Sequence, residues 1–146
     1  MPDLIRFQKL DPRAVLPRRA TPGSAGMDLC ALLEEELVLA PGGRAMVPTG
    51  LAAAVPEGYG AFLFARSGLA VKHGVTLSNC VGVVDSDYRG EIRVGLINQS
   101  DRPYTLQPGE RIAQLVLLPV YCAEAVECDS LDDTERGAGG FGSTGR

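Results

Sequence analysis

The chain has few of the side chains on which metal sites and nucleophilic triads depend. Its 146 residues include no tryptophan, a single histidine (His73) and four cysteines, and only 5% of them are aromatic. No two cysteines show C-x-x-C spacing, which disfavours a structural zinc site, and one histidine disfavours a histidine-dependent triad. Any chemistry is therefore expected to depend on carboxylates, arginines, hydroxyls and backbone groups.

Other absences bound the class of protein. No apolar run is long enough to span a bilayer and no charged-then-apolar leader is recognisable, so we expect a cytoplasmic protein without membrane contact. The net charge of −4 disfavours nucleic-acid binding through a basic surface. In a reducing compartment the cysteines are expected to be small apolar fillers. The length and the apolar fraction of 45% indicate one domain with a real core.

Short apolar or alternating segments recur between glycine and proline turns. Runs at 61–64 and 115–118 suit strands buried on both faces, and the alternation at 91–96 suits a half-buried strand. Only Ser67 to Lys72 has a helical pattern. These features predict an all-β barrel or sandwich of the jelly-roll kind. Its single domain covers residues 1–128, and a C-terminal arm follows at 129–146.

The last eleven residues have a composition unsuited to a core. Five glycines make this stretch costly to order, so we expect the arm to be mobile. Phe141 offers a stacking face, Ser143 and Thr144 offer hydroxyls, Arg136 offers charge, and glycine N–H groups such as that of Gly142 can approach an anion. This inventory suits closure over an aromatic, phosphorylated ligand. A passive glycine-rich tail would have the same composition.

Two internal segments interrupt the strand pattern with polar residues. Asp28 points away from its apolar neighbours, either as a ligand or as an ordinary edge carboxylate. Arg66, Ser67 and Gly68 lie where a strand runs into the short helix, which is a favourable place for an anion. Alternatively, Ser67 only caps the helix.

A third segment, residues 79–91, predicts a hairpin whose mouth could hold a planar base through backbone donors and acceptors. Asp85 ends the apolar strand, where partial burial could leave it a usable base. Asp87 is expected to be a solvated turn residue. Tyr88 offers a flat face to a sugar or base, although a tyrosine near a turn can simply pack against its surroundings.

Together these segments resemble the five ordered motifs of the trimeric dUTPases. The motifs are A-G-M-D-L (25–29), R-S-G-L-A (66–70), G-V-V-D-S-D-Y-R-G-E (82–91), R-I-A-Q-L (111–115) and R-G-A-G-G-F-G-S-T-G (136–145). Five motifs in order over nearly the whole chain are far more specific than one. Ala65 replaces a usual proline and Val84 a common isoleucine. The first change is expected to loosen the loop that carries Arg66.

The resemblance implies hydrolysis of dUTP to dUMP and pyrophosphate by attack of water on the α-phosphorus. This reaction would supply dUMP for thymidylate synthesis and keep uracil out of DNA. Asp85 would be the general base, and the cofactor Mg²⁺ would contact Asp28 through water. The residues that would hold the phosphate chain are Arg66, Ser67, Gly68 and Gln114. The implied fold is a distorted jelly-roll or β-clip barrel, assembled into a homotrimer with shared active sites.

The resemblance also implies how the substrate is recognised. Tyr88 would pack on the deoxyribose and leave no room for a 2′-hydroxyl, and Phe141 would stack over uracil when the arm closes. The residues that would read uracil are Asn79, Val83, Val84 and Arg93. The arm residues that would contact the γ-phosphate end are Arg136, Gly142, Ser143 and Thr144.

Two alternatives stay open. A dCTP deaminase shares this fold and phosphate handling but would release ammonia. A non-enzymatic β-sandwich module, for binding or for a capsid, would leave the arm and Asp85 without a role.

Overall fold

The computed structural model describes residues 4–142, in which eleven strands and one short helix are found. The helix α1 (Ser67–His73) lies between the sixth and seventh strands. In chain order the strands are β1 (Arg6–Lys9), β2 (Met27–Cys30), β3 (Leu37–Leu39), β4 (Arg44–Pro48), β5 (Leu51–Ala54), β6 (Tyr59–Phe64), β7 (Val75–Leu77), β8 (Gly82–Val84), β9 (Arg93–Asn98), β10 (Tyr104–Leu106) and β11 (Arg111–Pro119). The prediction of an all-β fold with one short helix is confirmed.

The strands form four antiparallel sheets, and within residues 4–142 none of them closes into a barrel. The largest has the order β2-β11-β6-β8, and a second has the order β4-β9-β7. Two pairs, β1-β5 and β10-β3, complete the framework. The apolar core is one cluster in which the largest fully buried side chains include Leu29, Leu51, Ile92, Leu96, Leu106, Ile112 and Leu115. Burial of such side chains is the main force that holds the sheets together.

The four-stranded sheet buries only one of its faces in this chain. Along β6, Ala61 and Leu63 are buried while Phe62 is only half-buried, and along β11 Leu118 is exposed. The prediction that 61–64 and 115–118 are buried on both faces is therefore wrong for the single chain. Successive side chains of a strand point to opposite faces, and only one face of this sheet meets the core.

An apolar row crosses the outer face of the same sheet. Phe62 pairs with Val116 on one side and with Val83 on the other. Val83 is 59% exposed, and the other two are half-buried. Such a contiguous apolar row on an outer face is typical of a surface that another molecule covers.

The helix α1 begins without a side-chain cap and ends at a glycine. Arg66 occupies the N-cap position with an extended backbone, and no side chain makes a capping hydrogen bond. The alternative that Ser67 caps the helix is therefore wrong, because Ser67 is already the first helical residue. At the other end Gly74 adopts φ +68°, and its N–H donates to the carbonyl of Ala70. A glycine in the left-handed region is the usual helix stop.

The hairpin predicted for residues 79–91 does not form. β8 pairs with β6, whereas β9 pairs with β4 and β7, so the chain crosses from one sheet to another. We call the connecting residues 85–92 the crossover loop. The N–H of Tyr88 donates to the carbonyl of Asp85 at 3.2 Å, and the N–H of Ile92 donates to the carbonyl of Leu51 at 2.7 Å. These bonds give the loop its tight start and anchor its end.

The expectation that the cysteines fill apolar space is met only in part. Cys30 is half-buried, whereas Cys80, Cys122 and Cys128 are exposed, and all four are free. Beyond Pro119, residues 120–142 contain neither helix nor strand. No helix in the described part of the chain is long and apolar enough to cross a membrane.

Candidate functional site

One group of the predicted residues meets in space around a cavity of about 510 Å³. It lies where β2, β11 and the segment after β6 come together. We call it the arginine corner, formed by Asp28, Arg66, Ser67, Gly68 and Gln114. The strand pairing explains the meeting, because Gln114 lies directly opposite both Asp28 on one side and Phe64 on the other.

Asp28 braces the arginine of this corner. Its Oδ1 accepts a hydrogen bond from Nε of Arg66 at 2.8 Å, and its Oδ2 lies 3.3 Å from Nη1 of Arg111. Only 18% of the Asp28 side chain is exposed, so its charge-assisted contact to Arg66 is partly sheltered from bulk water, whereas Arg111 is 55% exposed. Within residues 4–142, Nη1 and Nη2 of Arg66 donate no hydrogen bond. Asp28 thus fixes the guanidinium through its Nε, while the two terminal nitrogens remain available to an anion.

Gln114 is held just as firmly. Its Nε2 donates to the carbonyl of Ala65 at 3.0 Å, which supplies the partner expected for an amide in an apolar strand. Gly26 packs against the same amide, because a Cβ at residue 26 would lie 2.5 Å from Oε1 of Gln114. The A-G-M-D-L motif therefore contributes a glycine as well as Asp28, and the sequence interpretation assigned that glycine no role.

Arg111 is a second residue that the sequence interpretation left without a role. It stands at the start of β11, after a turn that Glu110 organises by accepting hydrogen bonds from the N–H of Gln107 at 2.9 Å and from the Tyr104 hydroxyl. Burial, together with the hydrogen bond to Glu110, raises the pKa of Tyr104 to about 12. The phenol, already protonated at neutral pH, therefore keeps donating to Glu110 even in alkaline solution, and this bond helps to fix the turn from which Arg111 extends.

Cys30 lies two residues from Asp28 but is not a nucleophile candidate. Burial, and secondarily the charge of Asp28, raises the pKa of its thiol. A protonated thiol is a poor nucleophile.

A second group of predicted residues lies in and around the crossover loop. The Tyr88 hydroxyl donates to the carbonyl of Glu91 at 2.9 Å. The carboxylate of Glu91 accepts from the N–H of Gly50 at 3.0 Å and from Nε of Arg93 at 2.7 Å. Glu91 thus links Tyr88 and Arg93, a role that the third motif contained but that its sequence did not reveal.

The remaining residues of this group differ in exposure. Asn79, Val83 and Asp85 are exposed, whereas Val84 is buried. The expected partial burial of Asp85 is wrong for the single chain, because Asp85 lies beyond the last residue of β8, outside the core.

Asp85 and the arginine corner lie at opposite ends of β6. Val84, the residue before Asp85, pairs with Ala61, and Arg66 follows five residues later along β6 and its extension. At the usual strand rise, about 16–17 Å separate Ala61, which lies beside Val84, from Arg66. One chain therefore does not bring Asp85 to the arginine corner.

The hydrogen bonds of the arm are local within its described residues, 129–142. Nε of Arg136 donates to the carbonyl of Gly139 at 2.7 Å, and all hydrogen bonds found for residues 129–142 run between 134 and 139. The Phe141 side chain is fully exposed, and Gly142 has φ +91°. The arm, as far as it is described, does not cover either group of its own chain. Ser143 and Thr144 lie outside the described residues.

Comparison with known proteins gives a consistent result. The dUTPase family model matches residues 13–145. The deoxyuridine 5′-triphosphate nucleotidohydrolase of Desulfitobacterium hafniense is 55% identical over 142 residues, which cover 97% of this chain and 94% of that protein. The protein of the same name from Chlamydia pneumoniae is 54% identical over 140 residues, which cover 95% of this chain and 97% of the relative.

A solved structure shows the same likeness in three dimensions. The dUTPase of Staphylococcus bacteriophage 80alpha, solved with dUpNHpp, matches with a TM-score of 0.89 and 28% sequence identity. The match covers 99% of this chain and 100% of the phage chain. The predicted jelly-roll kind of β fold is thereby confirmed.

Proposed function

The chain belongs to the dUTPase family, and we propose that it hydrolyses dUTP to dUMP and pyrophosphate by attack of water on the α-phosphorus. The observation that carries the proposal is the arginine corner, in which a braced Arg66 keeps two terminal nitrogens free for an anion. The reaction supplies dUMP for thymidylate synthesis and keeps uracil out of DNA. Cytoplasmic residence stays a prediction.

The arginine corner holds the phosphate chain. Arg66 contributes two terminal nitrogens, Ser67 a hydroxyl, and Gly68 a backbone N–H beside open space, since nothing lies within 4 Å of a Cβ built there. Gln114 adds an amide that Ala65 holds in place. Donors that are oriented before the reaction stabilise developing negative charge at little reorganisation cost.

Mg²⁺ would be held at the arginine corner mainly by the phosphate oxygens of the nucleotide. Within residues 4–142, no group of three His, Cys, Asp or Glu side chains could hold a metal ion by itself. The Asp28 carboxylate has lone pairs that its two arginine partners do not use, so it suits a water-mediated contact to an ion held mainly by phosphate oxygens. When bound, Mg²⁺ would offset the negative charge of the triphosphate.

The working site requires more than one copy of the chain. The arginine corner and Asp85 lie at opposite ends of β6, so the phosphates of one copy's nucleotide meet the crossover loop of another. The apolar row of Val83, Phe62 and Val116 supplies an outer face for such an assembly. We assign a homotrimer, as in the trimeric dUTPases that the motifs resemble. Sedimentation equilibrium should then give three times the chain mass of 15.4 kDa.

Asp85 is the general base of the reaction. It is exposed in one chain, and a second copy would cover it and place it beside the phosphates. There it orients the water and accepts its proton as the bond to the α-phosphorus forms. The arm then closes with Phe141 over uracil and with Arg136, Gly142, Ser143 and Thr144 at the γ-phosphate end. Closure excludes bulk water from the reacting groups.

Uracil and deoxyribose are recognised at the crossover loop. Asn79 and the main chain of Val83, Val84 and Arg93 read the base, and Tyr88 packs on the sugar. The hydrogen bond from the Tyr88 hydroxyl to the carbonyl of Glu91 positions the ring within the crossover loop.

Tyr88→Ala is expected to admit UTP, because the ring that would collide with a 2′-hydroxyl is removed. The preference for dUTP over UTP, measured as the ratio of kcat/KM values, should fall by on the order of 10–100-fold. Tyr88→Phe is the matched control, since it keeps the ring and loses only the bond to Glu91, and it should retain most of the preference. Unchanged sugar selectivity in Tyr88→Ala would assign this role to another residue.

Arg111→Met is expected to weaken dUTP binding, because Asp28 loses one of its two partners and holds Arg66 less firmly. Because the Arg111 side chain is 55% exposed, loss of this contact corresponds to about 0.5–1 kcal/mol, or roughly a two- to fivefold rise in KM. Arg44→Met, at the exposed start of β4, is the matched control and should leave KM unchanged. Equal behaviour of the two variants would remove Arg111 from the site.

A nucleotide panel tests the function itself. The protein is incubated with Mg²⁺ and dUTP, dCTP, dTTP or UTP, and both pyrophosphate and ammonia are measured. Pyrophosphate from dUTP alone is expected. Ammonia from dCTP would identify a deaminase, and no product from any nucleotide would favour the non-enzymatic binding module.

A further inference from the structure

We propose that Gly90 is a positioning residue for sugar selectivity, because the absence of a side chain there lets the Tyr88 ring lie in its observed place. This inference rests on the proposed function. A Cβ built on residue 90 would lie 2.4 Å from Oη, 2.7 Å from Cζ and 3.1 Å from Cε2 of Tyr88. Non-bonded heavy atoms prefer separations of about 3.5–4.0 Å. The ring of Tyr88 therefore occupies the space that any other residue 90 would fill.

The backbone itself does not require glycine at this position. The glycines with positive φ in the described chain are residues 42, 50, 58, 74, 109, 137 and 142, and Gly90 is not among them. The three atoms nearest to such a Cβ, outside residues 89 and 91, all belong to the Tyr88 side chain and none to a neighbouring backbone. The tightest constraint on residue 90 thus comes from Tyr88.

The position of Tyr88 depends on this space. Its hydroxyl reaches the carbonyl of Glu91, and the Glu91 side chain is tied to the N–H of Gly50 and to Arg93. Tyr88 is nevertheless 45% exposed, so its ring can swing outward. The loop behind it is anchored by the bond from Ile92 to Leu51. A methyl group at residue 90 should therefore displace the ring and break its bond to Glu91, while the fold stays intact.

The consequence is a change in substrate choice. If the Tyr88 ring excludes the 2′-hydroxyl, then Gly90→Ala displaces this ring without removing it. The preference for dUTP over UTP should fall by roughly tenfold. A general loss of stability or of catalysis would lower kcat/KM for both nucleotides alike and leave the ratio unchanged.

A double-mutant cycle tests the inference. The ratio of kcat/KM for dUTP and UTP is measured for the unaltered chain, Gly90→Ala, Tyr88→Ala and the double variant. Gly90→Ala should lower the ratio in the unaltered background and have no further effect once Tyr88 is alanine, because it acts through that ring. Gly23→Ala is the matched control, since it has an ordinary φ and nothing within 4 Å of its Cβ. It should keep the original ratio.

Several outcomes would overturn the inference. They are an unchanged ratio in Gly90→Ala, an equal further fall of the ratio in the Tyr88→Ala background, and an unfolded Gly90→Ala chain by thermal denaturation. The last would show that the loop, not the ring, yields to the methyl group. A failure of the proposed function is distinguishable, because then the unaltered chain would not hydrolyse dUTP at all.

Discussion

Asp85→Asn is expected to lower the turnover of dUTP by roughly 10²–10⁴-fold, the usual contribution of a general base. The amide keeps the size and shape of the side chain but cannot accept the proton of the attacking water. Binding of a non-hydrolysable dUTP analogue should survive, because the arginine corner and the uracil-reading residues are unaltered. Turnover and the Kd of the analogue are measured on the same preparations.

Asp87→Asn is the matched control for this experiment. Asp87 is an exposed carboxylate of the same crossover loop, two residues further on, and the identical change there should leave turnover close to that of the unaltered chain. Near-normal turnover in Asp85→Asn, or an equal loss in both variants, would contradict the role of Asp85.

A chain that ends at Asp133 is expected to lose on the order of 100-fold in turnover without losing stability. The residues removed include Arg136 and Phe141, which are proposed to close over the nucleotide. The described part of the removed segment makes hydrogen bonds only within 134–139, and Phe141 is fully exposed, so the core does not depend on it. Turnover and the thermal unfolding midpoint are the two measurements.

Phe141→Ala separates the proposed stacking of the arm on uracil from its proposed contacts at the γ-phosphate end. It keeps the arm's length, charge and hydroxyls and removes only the ring that stacks on uracil, so its turnover should lie between those of the truncated and full chains. Full activity of the truncated chain would reduce the arm to a passive tail. A large fall in its unfolding midpoint would show instead that the arm supports the fold.

Local sequence patterns predicted the local parts of this structure. Turn residues marked the strand ends, and the short helix begins at Ser67 as expected, ending one residue later than predicted at His73. The clustering of Arg66, Ser67 and Gly68 follows from their adjacency in the chain. Periodicity reports which faces of a strand are apolar, and these features need no more information than that.

The parts that sequence reasoning missed depend on strand pairing. The alternation at 91–96 is compatible with any neighbouring strand, so it did not reveal that β8 and β9 belong to different sheets. In the same way Arg111 and Asp28 are far apart in sequence and meet only because β2 pairs with β11. Pairing is set by packing of the whole core, which no single segment determines.

The outer face of the largest sheet explains a third error. Residues 61–64 and 115–118 read as buried on both faces because both faces are apolar. In one chain only the inner face is covered, and the row of Phe62, Val83 and Val116 remains outside. An apolar run predicts that a surface will be covered, but it does not say whether the same chain or another copy covers it.

A crystal structure with a non-hydrolysable dUTP analogue is the most direct test of a site built between copies. Triphosphate is expected at Arg66, Gly68 and Gln114 of one copy, with uracil and deoxyribose at Val83, Val84 and Tyr88 of a neighbouring copy. A nucleotide bound entirely within one chain, or bound away from Tyr88, would contradict this arrangement.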